Sequence, residues 1–219
     1  VPRKIESHFI NGPAGRLEAI LEEPDGDAVE AALVCHPHPL YGGTMHNKVV
    51  HRLARGLRRA NLVVLRFNFR GVNLSEGEHS GGAGEVEDAR GALGWLRARY
   101  PGLRYSLAGF SFGARVALSL GCDLPDVSRL IAAGLPTRNS NFSCLKHCEI
   151  PKYFLQSTND EHGPREELED LLAEVRAPKC LIWITAGDHF FRGALQELEE
   201  EVFRLPAEGC GETAGWHAR

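Results

Sequence analysis

The sequence predicts an α/β protein: a mostly parallel sheet, an antiparallel hairpin at its N-terminal edge, and helices on both faces. Three observations carry that prediction. Apolar runs of strand length, such as AALVCH, NLVVLRFNF and KCLIWITAG, have no polar face, as expected for strands covered on both sides. Segments with apolar residues at three- and four-residue spacing alternate with those runs. Glycine- and proline-rich stretches separate the two kinds of segment.

The elements follow in order. KIESHFI and GRLEAILEE flank the turn NGPAG and read as the opening hairpin. AALVCH is the third strand. A helix follows, with Val49, Val50, Leu53 and Leu57 on one face. NLVVLRFNF is the fourth strand. The loop RGVNLSEGEHSGGAG leads from it to a helix with Val86, Ala89, Leu93 and Leu96 inward, ended at Tyr100-Pro101-Gly102. YSLAGF is a strand and FGARVALSLG a helix closed by Gly121. RLIAAGL and KYFLQST are the next two strands. Pro164 opens a helix with an acidic first turn and Leu168, Leu171, Leu172 and Val175 on its apolar stripe. KCLIWITAG is the last strand, and a final helix carries Leu195, Leu198, Val202 and Leu205.

Composition bounds the function. The 219 residues suffice for one well-buried domain spanning 1–219. The stretch 207–219 has little pattern and reads as a loose tail. Between AAGLP and IPKYF there are only about fourteen residues, too few for a lid domain. With 25 basic and 29 acidic side chains the net charge is −4, which favours neither nucleic acid nor an anionic membrane as partner. No apolar run is long enough to span a bilayer, and VPRKIESHFING has no apolar leader region. The six cysteines, Cys35, Cys122, Cys144, Cys148, Cys180 and Cys210, are irregularly spaced. They read as reduced thiols of a cytoplasmic protein. Cys144 and Cys148 with His147 between them could suggest zinc, but no second ligand pair lies nearby.

LAGFSFGARVAL carries the strongest chemical signal. It sets Gly109-Phe110-Ser111-Phe112-Gly113 between a strand and a helix, the context a G-x-S-x-G nucleophile turn needs. Bulk two residues before or after the serine would clash in so sharp a turn. Ser111 would then sit at a helix N-terminus, with the Phe112 N–H aimed at a developing oxyanion. A serine hydroxyl needs a base, and the base a carboxylate. In the order Ser, acid, His, the loops after two late strands offer Asp160 in NDEHGP and His189 in DHFF. Glu161 and His162 adjoin Asp160, and Asp188 precedes His189. None of these rivals fills both roles from separate strands.

VCHPHPLYGGTMHN, after the third strand, poses a choice. His36 and His38 have metal-ligand spacing, yet Pro37 and Pro39 have no N–H and stiffen the loop. As an oxyanion loop it would donate the His38 N–H, or failing that the Leu40 N–H, and His36 would tie the loop down. Gly42 and Gly43 would let the backbone pass close to the serine. Phe110, Phe112, Leu40, Tyr41, Phe190 and Phe191 fall near the site and would form either an acyl pocket or core.

Together, HPHPLYGGTMHNKVV, FNFRGVNLSEG, GEVEDA, GFSFG, NDEHGP and DHFF resemble the small α/β-hydrolases related to dienelactone hydrolases, over roughly residues 15–205. The resemblance implies the α/β-hydrolase fold, a triad of Ser111, Asp160 and His189, and oxyanion donors from the HPHP loop and Phe112. It departs from the family pattern at Asn73, where glycine is usual, and at Ser80, where aspartate is common. Dienelactone hydrolases themselves use a cysteine nucleophile where this chain has Ser111. The expected activity is hydrolysis of small, short-acyl carboxylic esters or thioesters through an acyl-enzyme, with no cofactor and no metal. The alternatives are an amidase or peptidase on the same triad, and a non-catalytic hydrolase-fold binding module.

Overall fold

The computed structural model describes residues 4–138 and 142–205. The tail 207–219 lies outside the described residues. β1 (Ile5–Gly12) and β2 (Gly15–Glu22) form the opening hairpin. After β3 (Glu30–Cys35) come α1 (Lys48–Arg59), β4 (Leu62–Phe67), α2 (Ala83–Arg99), β5 (Tyr105–Phe110) and α3 (Phe112–Gly121). Then follow β6 (Val127–Ala133), β7 (Lys152–Ser157), α4 (Arg165–Ala173), β8 (Lys179–Ile184) and α5 (Leu195–Arg204). The eight strands form one sheet in the order β1-β2-β4-β3-β5-β6-β7-β8. β2 pairs antiparallel with β1 and β4, and every other pairing is parallel. This is the α/β-hydrolase arrangement, as the sequence predicts.

Strands β3 to β7 are buried along their whole length, which is why they read as continuous apolar runs. Alternate residues serve two separate cores. Leu33, Val63, Leu65 and Leu107 pack with α2, α3 and α4 on one face. Val34, Val64, Ala108 and Ile131 pack with α1 and α5 on the other. Edge strand β1 alternates exposed and part-buried residues instead.

The chain builds β3 and β4 toward one edge, then reverses to β5 and builds toward the other. Loops leaving the carboxyl ends of β3 and β5 therefore diverge, and a crevice opens between them. Two buried carboxylates, Asp88 and Glu85, anchor the loop near that end. Arg70, just beyond β4, forks onto Asp88 at 2.8 and 2.9 Å and donates to the Gly84 carbonyl at 2.8 Å. Glu85 accepts the N–H groups of Ser80 at 2.9 Å and Gly82 at 2.7 Å. Both acids are buried and hold the loop that precedes α2.

Four cysteines, Cys35, Cys122, Cys144 and Cys148, are free thiols. Cys180 is disulfide-bonded, so the expectation of reduced thiols throughout fails there. β8 is an edge strand and Cys180 is only part-buried, which gives it the access a bond needs. Cys210 lies outside the described residues. Among the described residues, no helix is long and apolar enough to cross a membrane.

Candidate active site

The turn between β5 and α3 is as tight as its glycines suggest. Ser111 has φ 56° and ψ −119°, a conformation that costs a non-glycine residue about 1–3 kcal/mol. A Cβ on Gly109 would lie 2.1 Å from the Gly113 carbonyl oxygen. A Cβ on Gly113 would lie 2.4 Å from the carbonyl oxygen of Cys35 and 2.5 Å from that of His36. The second clash explains more than the turn: the loop after β3 presses directly against the start of α3. The Ser111 N–H is fixed to the Ala133 carbonyl at 2.9 Å. The Phe112 N–H lies in the first turn of α3, where no intrahelical acceptor exists.

Ser111 and His189 are 78 residues apart in sequence, and the fold brings Ser111 Oγ to 2.9 Å from His189 Nε2. His189 Nδ1 lies 2.8 and 2.9 Å from the two Asp160 oxygens. His189 and Asp160 are both buried. Asp160 Oδ1 also accepts the N–H groups of His162 at 2.9 Å and Gly163 at 3.2 Å. The rivals have other tasks. Asp188 accepts the N–H groups of Phe190 and Arg192 within its own loop. The Glu161 carboxylate meets the backbone N–H of His189 at 3.4 Å, and the His162 ring stands edge-on to that of His189, 4.6 Å between centroids.

Sequence reasoning missed Gln156, at the end of β7. Its Nε2 donates to Asp160 Oδ2 at 2.9 Å and to the Gly163 carbonyl at 3.1 Å. Its Oε1 accepts the Leu135 N–H at 2.9 Å. The available signal was a lone amide in KYFLQST, a strand buried throughout, because such a group needs partners. Gly134 was missed as well. It has φ 54°, and a Cβ there would lie 2.8 Å from the Phe110 ring and 3.1 Å from His189 Cε1.

The loop after β3 is held from inside. The His36 ring is fully buried: its Nε2 accepts the Phe69 N–H at 3.0 Å, so Nδ1 carries the proton and donates to the Pro37 carbonyl at 2.6 Å. Both nitrogens are thus committed to backbone, and the ring ties the loop down as expected. Burial pushes its pKa down to about 4, against the Pro37 hydrogen bond. His38 Nδ1 accepts the Leu40 N–H at 3.2 Å, which engages the second-choice donor. Among the described residues no acceptor takes the His38 N–H. The glycine pair also has a local task. Gly42, at φ 76°, closes the short 3-10 turn Pro39–Tyr41, and Gly43 N–H donates to the His38 carbonyl at 3.1 Å. A Cβ on Gly43 would strike the Pro37 carbonyl oxygen at 2.1 Å, so that glycine is required by the loop's own turn.

The aromatic residues divide into two groups. Leu40 is 70% exposed, Tyr41 86% and Phe190 52%, and they form an apolar rim. Phe110 has no exposed surface, so it is not a pocket wall. Its ring packs 4.9 Å from that of His189 and 5.7 Å from that of Phe190, supporting the histidine from beneath. Phe112 and Phe191 are likewise buried. The two departures in the loop after β4 are accommodated. Asn73 takes a left-handed φ of 49°, tolerated by asparagine, and Ser80 Oγ accepts the Gly84 N–H at 2.9 Å. A separate cavity of about 380 Å³, lined by Phe142, Lys146, Leu171 and Glu174, shares no residue with this site.

A sheet of this order, with a strained serine at the β5–α3 turn facing a buried histidine, defines an α/β serine hydrolase. Residues 32–202 match the alpha/beta hydrolase domain family, and the chain belongs to it. It is 37% identical to an alpha-beta serine hydrolase homologue from Coxiella burnetii, with 91% of this chain and 96% of that one covered and a TM-score of 0.87. A serine hydrolase without lid from Xanthomonas campestris is 34% identical, at 92% and 96% coverage and a TM-score of 0.79. An uncharacterised protein of Rickettsia prowazekii (strain Madrid E) is 37% identical over 203 residues, 89% of this chain and 85% of that protein.

Proposed function

We propose that this chain hydrolyses small carboxylic esters or thioesters, with Ser111, His189 and Asp160 as the catalytic triad. The observation that carries the reading is the unbroken line from Ser111 Oγ through His189 to Asp160, with contacts of 2.8–2.9 Å. His189 Nε2 removes the Ser111 proton as Oγ attacks the acyl carbon. Asp160 fixes the tautomer that leaves Nε2 free and stabilises the imidazolium. The N–H groups of Phe112 and His38 hold the oxyanion. His189 then protonates the leaving alcohol or thiol, and water hydrolyses the acyl-enzyme by the same path in reverse.

The exposed rim of Leu40, Tyr41 and Phe190 supports an open site. It offers a short acyl group some apolar contact but encloses no long chain. The likeness to a serine hydrolase without lid supports the same reading. The chain acts as one domain and needs no cofactor. Ser111→Ala tests the proposal. Hydrolysis of p-nitrophenyl acetate and labelling by a fluorophosphonate should both be lost, and retention of either overturns it.

A further inference from the structure

Far along α3 from the nucleophile, the fold gathers three thiols and a lysine. Cys122 caps the C-terminal end of α3. Cys144 lies in the 3-10 turn Ser143–Lys146, and the Cys148 N–H donates to the Cys144 carbonyl at 3.1 Å. The Cys122 thiol is in hydrogen-bond contact with both Cys144 and Cys148. Cys122 and Cys148 are buried, Cys144 is part-buried, and all three are free.

Lys152, at the start of β7, is 1% exposed. Its ammonium donates to the carbonyls of Cys148 and Ile150, each at 2.7 Å. Among the described residues no carboxylate pairs with it. A buried ammonium without a counter-ion is costly, and the groups nearest to supply one are the thiols. The hydrogen bond from Cys122, and then the Lys152 charge, bring the Cys148 thiol down to about 6, against burial and the charge of Asp123. Cys122 moves the opposite way, through its bonds to Cys144 and Cys148 and through burial. Lys179 and Arg176 add positive charge around Lys152. Cys144 is drawn down as well, by its bond from Cys122, but it is Cys148 whose carbonyl the Lys152 ammonium meets.

We propose that this cluster is a peroxide-reactive site, in which Cys148 is oxidised and Cys122 resolves it to a Cys122–Cys148 disulfide. The Cys148 thiolate attacks one oxygen of a hydroperoxide. The O–O bond breaks, and the leaving oxygen takes a proton from solvent. Cys148 is now a sulfenic acid. The Cys122 sulfur then attacks the Cys148 sulfur, and the hydroxyl departs as water with the Cys122 proton. Two thiols lose two electrons to one hydroperoxide, which is reduced to water or to water and an alcohol. Cys35 is the internal contrast, since burial alone pushes its thiol up.

The test treats the full chain with hydrogen peroxide near stoichiometry, then maps alkylated peptides by mass spectrometry. A Cys122–Cys148 linked peptide should appear, with a mass decrease of two hydrogens relative to untreated protein, reversed by dithiothreitol. Cys35 should remain alkylatable. Cys122→Ser should halt at a Cys148 sulfenic acid that dimedone traps. Lys152→Met should slow Cys148 oxidation roughly tenfold at neutral pH by removing the counter-ion. Should that variant fail to fold, the pH profile of Cys148 alkylation in the parent chain reads the same thiolate. No linked peptide, a bond using Cys144 instead, oxidation of Cys35 at an equal rate, or tight zinc retention that blocks peroxide would each overturn the proposal.

Discussion

Replacing His36 with glutamine should abolish a large part of the protein's acid sensitivity between neutral pH and pH 5. The His36 ring is fully buried and holds the loop after β3 only while neutral, because its Nε2 must accept the Phe69 N–H. A second proton would set N–H against N–H with no water to relieve it. Its pKa therefore falls from 6.5 in an open chain to about 4 in the folded one. Below pH 6.5 the unfolded chain takes up a proton that the folded chain refuses, so this ring's contribution to stability falls with the pH and levels off below about 4. At about 1.4 kcal/mol for each pH unit crossed between those two values, the loss is about 2 kcal/mol on going from pH 7 to pH 5, and about 3 kcal/mol by pH 4. Glutamine can supply the same acceptor and donor without titrating. The assay is urea denaturation of parent and variant at both pH values. The variant should lose less stability than the parent over that step, by about 2 kcal/mol. Equal losses would refute the reasoning that a neutral, buried His36 holds this loop.

Other expectations concern the site more directly. His38 has φ −53°, which proline can adopt, so His38→Pro deletes one N–H with little strain and should lower kcat by about 3 kcal/mol of transition-state stabilisation. His38→Asn keeps that N–H and a cap for Leu40, and near-parental activity is the required comparison. Gln156→Met leaves the Leu135 N–H without its partner and takes one of two donors from Asp160 Oδ2; unfolding free energy should drop by about 1–3 kcal/mol and kcat by roughly tenfold, with KM little changed. Gly134→Ala would thrust a methyl against Phe110 and His189 at a left-handed φ, so steady-state kinetics should show kcat lost well beyond any change in KM.

The fold was legible because five strands are buried on both faces, and that leaves continuous apolar runs no other local structure explains. The sharp turn at Ser111 was legible because its glycines answer a local clash, within five residues of one another. Asp160 and His189 could be chosen by chain order and strand position alone. What stayed hidden depends on contacts across the fold. Gln156 matters through Leu135 and Gly163, and Phe110 through the ring it lies beneath. The clash that requires Gly43 was hidden too, because sequence shows that a loop bends sharply but not what it bends around. The thiol pattern of Cys144 and Cys148 suggested too little on its own, since their partner Cys122 arrives from the end of another element.

Because Gly113 lies against the Cys35 and His36 carbonyls, the turn bearing Ser111 and the loop facing it form a single rigid block. On the proposed function, substitution within that block should cost activity whatever the substrate. Leu40, Tyr41 and Phe190 stand outside it with most of their surface in water. Selection can therefore exchange those three side chains at almost no cost in stability, and relatives with the same interior can diverge in diet by altering the doorway alone.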